Sequence, residues 1–395
     1  MDGKPAVRWL SIPQLIRTAL EIGKVTAYAK RKDPRADFAG NPCEFYRLTG
    51  RGGDGDGDGD VRVDFAADTG DGYDTALATA LCLARDRSTV VTPFREGDDV
   101  VADLLVLGGD LVYPVASATR YEERFTSVFG QAADLAEMRD KPPLVALPGN
   151  HDWYDGLKSF SDMMCGSWRD RDHPREPAQI PVPLPGDRAD VGGWGAFQSR
   201  SYFAVQLTGD WWLWGVDSQL DAPIDEPQVA YFERAAELLG GETNIILCTA
   251  TPSWLEAADL EPDRTMRGTP FDNLLTFVDR VLGERRRDQI RLLLTGDKHH
   301  YARYEPEPDA EFRADLVTCG AAARSCPRHT TCRGASTRSG PGDRSRAGAV
   351  THCAGRTRRP PSPGNSLPPR GSLPPVFGTA RRYPCSRASS VCSCA

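Results

Sequence analysis

Apolar runs of strand length that alternate with helical stretches across residues 61–319 predict an α/β domain. Two further observations bound it. A Gly/Asp-rich stretch at 51–60 precedes the alternation, and a tail of different composition, 320–395, follows it. The expected plan is an N-terminal helical segment and linker (1–60), the domain (61–319), and a tail without a core.

In chain order, Val7, Leu10, Leu15, Ile16, Leu20, Ile22 and Val25 are spaced as amphipathic helical turns interrupted by Pro13. Basic residues around 24–35 suit peripheral contact with an acidic membrane surface, and a helix packed on the main domain is the other reading. RGGDGDGDGD (51–60) lacks the closing Glu of an EF-hand and reads as a flexible loop. Strands are predicted at 61–67, 100–108, 143–148, 211–216, 244–249, 290–295 and 314–319, and helices at 74–87, 121–139, 226–239 and 271–287. Asp71 and Asp74 are placed to cap the first of these helices, and Gly240-Gly241 to close the third. Residues 156–200, rich in Pro, Gly, Asp and Arg, read as a long loop insertion. Trp211, Trp212 and Trp214 read as core, Asp217 at the end of their strand as structural, and Ser201–Phe203 as sheet.

Composition divides the chain in two. Residues 320–395 hold 13 Arg, no Lys and one acid (Asp343), so a total of −7 leaves −19 for residues 1–319. That balance in the domain argues against a nucleic-acid-binding surface. Six of the 11 cysteines lie in the tail, which has too little periodic apolar content to bury a core. With 41 Arg against 7 Lys, the coding sequence is read as G/C-rich. Back-translated with chosen G/C-rich codons and read from the third base of the Ala321 codon, residues 321–333 become Gly-Gly-Ala-Val-Leu-Pro-Pro-Pro-His-Asp-Leu-Pro-Arg, a turn leading to a strand, so the tail is read as frameshifted and disordered. No apolar run reaches the ~18 residues of a membrane span and no signal-peptide core opens the chain, so the expected location is cytoplasmic.

Function is concentrated where the strands end. After successive apolar runs come Asp68-Thr69-Gly70, Gly109-Asp110-Leu111-Val112-Tyr113, Gly149-Asn150-His151-Asp152 and Gly296-Asp297-Lys298-His299. Sites in open α/β folds assemble at the carboxyl ends of strands, and glycine lets each turn bend sharply. Asp, Asn and His form a hard O/N ligand set that suits Mn, Fe or Zn. A shared Asp can hold two ions ~3.5–4 Å apart, and such a pair supports phosphoryl displacement by a metal-bound hydroxide.

The set DxG, GDxxY, GNHD and GDxH, in this order over residues 68–300, resembles the calcineurin-like metallophosphoesterases, and the DxG and GDxxY forms the purple acid phosphatase branch. The resemblance implies a four-layer β-sandwich flanked by helices, a dinuclear centre of two divalent or mixed-valence ions, and a phosphoester substrate. Carried over residue by residue, Asp68, Tyr113 and His299 would bind the first metal, Asp110 would bridge, and Asn150 would bind the second. Asp297 stands where the family has a His and can still bind a hard ion, whereas Ala250 stands where a further His ligand is expected. Gly70 occupies the place of the first motif's His. His151 would contact the phosphate or protonate the leaving oxygen, with Asp152 orienting its imidazole. The expected activity is phosphoester hydrolysis; the alternative is a non-catalytic descendant that binds a metal or a phosphorylated ligand.

Overall fold

The computed structural model describes residues 3–7, 33–48, 61–84, 102–138, 141–166, 176–218, 224–258, 267–306, 310 and 312–320. It adds positions 11–12, 19–20, 23 and 172, and the backbone of two short strands in the tail. The Gly/Asp loop at 51–60, most of the N-terminal helix and the rest of the tail, with its frameshift reading, lie outside the described residues.

The elements in order are β1 (Glu44–Arg47), β2 (Val63–Ala66), α1 (Tyr73–Ala84) and β3 (Leu104–Leu107). Next comes α2, which runs from Ala118–Tyr121 through a π turn at Glu122–Thr126 into Ser127–Leu135. Then follow β4 (Pro143–Ala146), α3 (Asn150–Trp153), α4 (Lys158–Met164), β5 (Ala178–Pro181), β6 (Ala189–Val191), β7 (Trp194–Ala196), β8 (Phe203–Thr208), β9 (Trp211–Gly215) and α5 (Glu226–Glu237). The chain continues with β10 (Asn244–Cys248), α6 (Ser253–Ala258), α7 (Pro270–Leu282), β11 (Ile290–Thr295), β12 (Tyr301–Tyr304), β13 (Asp315–Cys319), β14 (Thr331–Arg333) and β15 (Val391–Ser393).

Two mixed sheets result, ordered β12-β13-β11-β10-β9-β8-β1-β5 and β15-β14-β2-β3-β4-β7-β6. Their inner faces meet through alternate residues: Val63, Phe65, Leu104, Val106 and Val145 from one, Val205, Leu213, Ile246, Leu292 and Val317 from the other. The outer faces pack on helices, Leu105, Leu107 and Leu144 with α1 and α2, and Trp212, Trp214, Leu247 and Leu293 with α5, α6 and α7. This is the predicted four-layer α/β architecture. Strands buried on both faces read as near-continuous apolar runs, which is why β10 (NIILC) and β11 (IRLLLT, exposed only at Arg291) stood out in the sequence.

Helix α7 shows how local signals set the boundaries. Thr269 Oγ1 accepts from the Asp272 N–H (3.2 Å), Pro270 fits the first turn, and Gly283 closes the helix at φ 74°. Its buried Phe271, Leu274, Phe277, Val278 and Val281 recur at i+3 and i+4 spacing.

Three readings differ from the structure. The stretch 156–200 contributes to both sheets through its described strands: β5 pairs with β1, and β7 with β4. Strand β1, placed ahead of the domain by the sequence, lies between β8 and β5. Arg35, counted with the basic stretch 24–35, is 1% exposed and bonded to Asp33, so it offers nothing to a membrane surface. No helix among the described residues is long and apolar enough to cross a membrane.

Candidate metal centre

The parallel strands β2, β3 and β4 of one sheet and β11 of the other deliver their following turns to one seam. Backbone N–H groups of Asp297 and His299 donate across it to the two carboxylate oxygens of Asp68, at 2.9 and 3.3 Å. The His151 N–H donates to Asp110 Oδ1 (3.1 Å), and Tyr113 Oη donates to Asp110 Oδ2 (2.9 Å). Tyr113 Oη also lies 3.0 Å from His299 Nε2, so it accepts from that nitrogen when the imidazole is protonated there.

The ligand atoms of Asp68, Asp110 and His299 all lie within 4.8 Å of one another. Burial raises the Asp68 carboxyl well above the ordinary range, and Asp110 beside it adds to this. Burial likewise raises Asp110, against the opposing pull of His151. Two adjacent buried carboxylates with an imidazole are a donor set that fits a hard divalent cation.

The backbone at this seam is unusual. Asp68 (φ 58°), Asp110 (φ 54°), Asp297 (φ 68°) and His299 (φ 50°) are all left-handed, with Glu137 and Leu157 the other such non-glycine residues described. Left-handed backbone clusters where a fold must aim side chains out of a strand. Glycines keep the space open: a Cβ on Gly149 would collide with Asp110 Oδ1, and one on Gly320 with Asp68 Oδ2. Gly320, assigned to the tail by composition, is therefore part of the site wall. Gly70 faces the backbone of Leu111 and Val112, which leaves no room for the imidazole that the first motif would otherwise carry.

The remaining predicted residues fall around this group. Asn150 Nδ2 donates to Tyr154 Oη (2.9 Å), which leaves the amide oxygen as the donor suited to a cation. The His151 ring lies 4.4 Å from that of Tyr113, and its Nδ1–H donates to the Pro114 carbonyl at 2.6 Å. The expected orienter, Asp152, is engaged otherwise. Its carboxylate accepts from Tyr121 Oη (2.6 Å), Gly149 N (2.8 Å) and Leu111 N (3.2 Å). Burial, then Asp110, push its pKa up to about 8. Asp152 thus ties the β3 and β4 turns together, and Pro114 orients His151. Asp297 stands outside the three-residue group, with its Oδ2 2.8 Å from Lys298 Nζ.

A buried polar network, of which the sequence showed only Asp217, supports the GNHD turn from below. Asp217 accepts from Trp153 Nε1 (3.2 Å) and Ser201 Oγ (2.6 Å), and Arg35 lies over the Trp153 ring at 5.4 Å. Asp71, just ahead of α1, also accepts from the Val7 N–H (2.7 Å), which ties residues 3–7 to the domain.

No protein-family model and no curated protein matches the chain. Among solved structures, a dimetal phosphatase from Danio rerio is 11% identical with a TM-score of 0.39, over 67% of this chain and 88% of that one. A phosphopantetheinyl hydrolase from Mycobacterium tuberculosis is also 11% identical, with a TM-score of 0.31 over 67% and 90%.

Proposed function

We propose that the chain is a metal-dependent phosphoester hydrolase of the metallophosphoesterase kind. The observation that carries the reading is the convergence of Asp68, Asp110 and His299 from three strand ends, two of them buried carboxylates, beside His151. A divalent cation held by these three would polarise a phosphoryl oxygen and lower the pKa of a nearby water. His151 is the proton carrier: with Nδ1–H committed to Pro114, its Nε2 is the nitrogen that exchanges a proton with the leaving oxygen. Tyr113 fixes the Asp110 carboxylate by hydrogen bonding, and burial followed by Asp110 raise its phenol well above its ordinary pKa.

Hydrolysis of p-nitrophenyl phosphate and its bis-ester with Mn²⁺, Fe or Zn²⁺ tests this. Turnover should vanish with a chelator and fall at least about a hundredfold in Asp110→Asn, ~3 kcal/mol of barrier. Turnover that survives both treatments would refute the reading. A non-catalytic phosphate binder is the second reading. Ala250 favours it, since it is buried beside Gly109 and brings no donor to the Asn150 side. Metal and phosphate binding without turnover would select that alternative.

A further inference from the structure

The two sides of the Asp110 carboxylate differ. Towards Asp68 and His299 the donors suit one cation. Towards Asn150 they do not suit a second. Ala250 is 3% exposed, and its methyl lies 3.0 Å from where a Gly109 Cβ would stand, so a residue without a donor fills the turn after β10. Asp297, the other residue expected to serve a second ion, already holds a cation of the chain's own, Lys298 Nζ at 2.8 Å. That ammonium is placed within the field of Asp297, Glu256 and Asp68, and its side chain is 35% exposed, open to an incoming ligand. The backbone that carries it is held in place: the Asp297 N–H is bonded to Asp68 Oδ1 and the Lys298 N–H to the Gly296 carbonyl, both at 2.9 Å.

We propose that Lys298, braced by Asp297, is the second positive charge of the site, that it holds a non-bridging phosphoryl oxygen of the substrate, and that the chain binds one metal ion. This rests on the phosphoesterase reading above and narrows it. An ammonium is a compact point charge with three N–H donors. A phosphomonoester dianion can present one ionised oxygen to the metal and another to Lys298. A diester, with a single negative charge shared between two oxygens, gains less, so monoesters are the favoured class.

The test measures Mn²⁺ stoichiometry and inorganic phosphate affinity by calorimetry on the full chain, as wild type, Lys298→Ala and Lys298→Arg, with Mn²⁺ at one equivalent for the phosphate titrations. Wild type should take up one Mn²⁺. Phosphate affinity should fall tenfold or more in Lys298→Ala and recover to within about threefold of wild type in Lys298→Arg. Thermal melts of the variants confirm the fold, as a partly exposed lysine should allow. Two Mn²⁺ in wild type, no phosphate binding by wild type, or equal phosphate affinity in Lys298→Ala would each overturn the proposal. No Mn²⁺ uptake at all would overturn the phosphoesterase reading beneath it, which separates the two failures.

Discussion

Asp217 gives a pH dependence whose sign and size follow from its surroundings. Its carboxylate is buried and accepts from Trp153 Nε1 and Ser201 Oγ, both of which favour the ionised form. Arg35 is close and its charge pulls the other way, although its hydrogen bond goes to the Asp217 backbone carbonyl (2.9 Å) and it is paired with Asp33 and Asp225 as well. Burial therefore wins, and the pKa rises from 3.8 to about 6. A raised acid pKa means that the folded state keeps its proton while the unfolded state loses it. The contribution to stability is complete below pH ~4 and is lost as pH rises through ~6. Two pKa units correspond to about 3 kcal/mol. Asp217→Asn removes the titration and keeps the shape, since the amide oxygen can serve Trp153 and the amide N–H can donate to Ser201 Oγ. Urea unfolding of wild type and variant from pH 4 to 8, with coincident fluorescence and circular dichroism transitions, isolates the difference. The variant should gain about 3 kcal/mol relative to wild type between pH 4 and 7. A flat difference, or one that favours wild type as pH rises, would show that Arg35 and the hydrogen bonds outweigh burial.

Three further outcomes follow from the same geometry. Gly149→Ala should push Asp110 Oδ1 aside and cost about tenfold or more in Mn²⁺ affinity, read by calorimetry, because overpacking of ~1–3 kcal/mol falls directly on the ligand. Tyr113→Phe should weaken Mn²⁺ binding by only about tenfold, the ~1.5 kcal/mol of one hydrogen bond to a charged group; a loss as large as that of Asp110→Asn would mark the phenol as a ligand. Glu137 closes α2 at φ 52° with Glu137 N→Asp134 O (3.1 Å) and Met138 N→Ala133 O (2.9 Å), a Schellman motif with a side chain at the position that favours glycine. Glu137→Gly should therefore stabilise the fold by ~0.5–1 kcal/mol in urea unfolding, after the added freedom of the unfolded chain is deducted, while Glu137→Ala should not.

The seven strands foreseen from Val61 onward all form, because each carries a run of buried apolar side chains, mostly Val, Ile and Leu but Trp in β9, that declares itself without a partner. Short edge strands do not declare themselves. Strands β5 to β7 hold Pro181, Gly195, Gln179 and Asp190, and their identity comes from pairing with β1 and β4, which a local pattern cannot show. The same division runs through the site. Asp68, Asp110 and His299 were legible because glycine and acid after an apolar run mark a strand end. The orienting group of His151 was not, since it is the backbone carbonyl of Pro114, and any residue has a carbonyl. Asp152 was misplaced for a related reason: sequence adjacency to His151 suggested a side-chain pair, while the α3 turn aims the carboxylate back at Gly149 N. Arg35, about 120 residues before the GNHD turn, reaches Trp153 only through the tertiary fold.

The left-handed residues at the seam explain why acids and histidine occupy it without a change of fold. A non-glycine residue held there costs roughly 1–2 kcal/mol, and Asp, Asn and His tolerate it best. At Glu137 that strain has no offset beyond closing a helix, and glycine removes it. At Asp68 and Asp110 it is matched by N–H donors arriving from other turns: Asp297, His299 and His151 to the carboxylates, and Gly70 N to the Asp110 carbonyl (3.3 Å). Each donor belongs to a turn that itself begins or ends in glycine, so the four motifs hold one another in place. The geometry of the Asp68 and Asp110 carboxylates is thus set by backbone, and a substitution that frees the backbone at either residue relieves strain only by undoing the alignment of the candidate site.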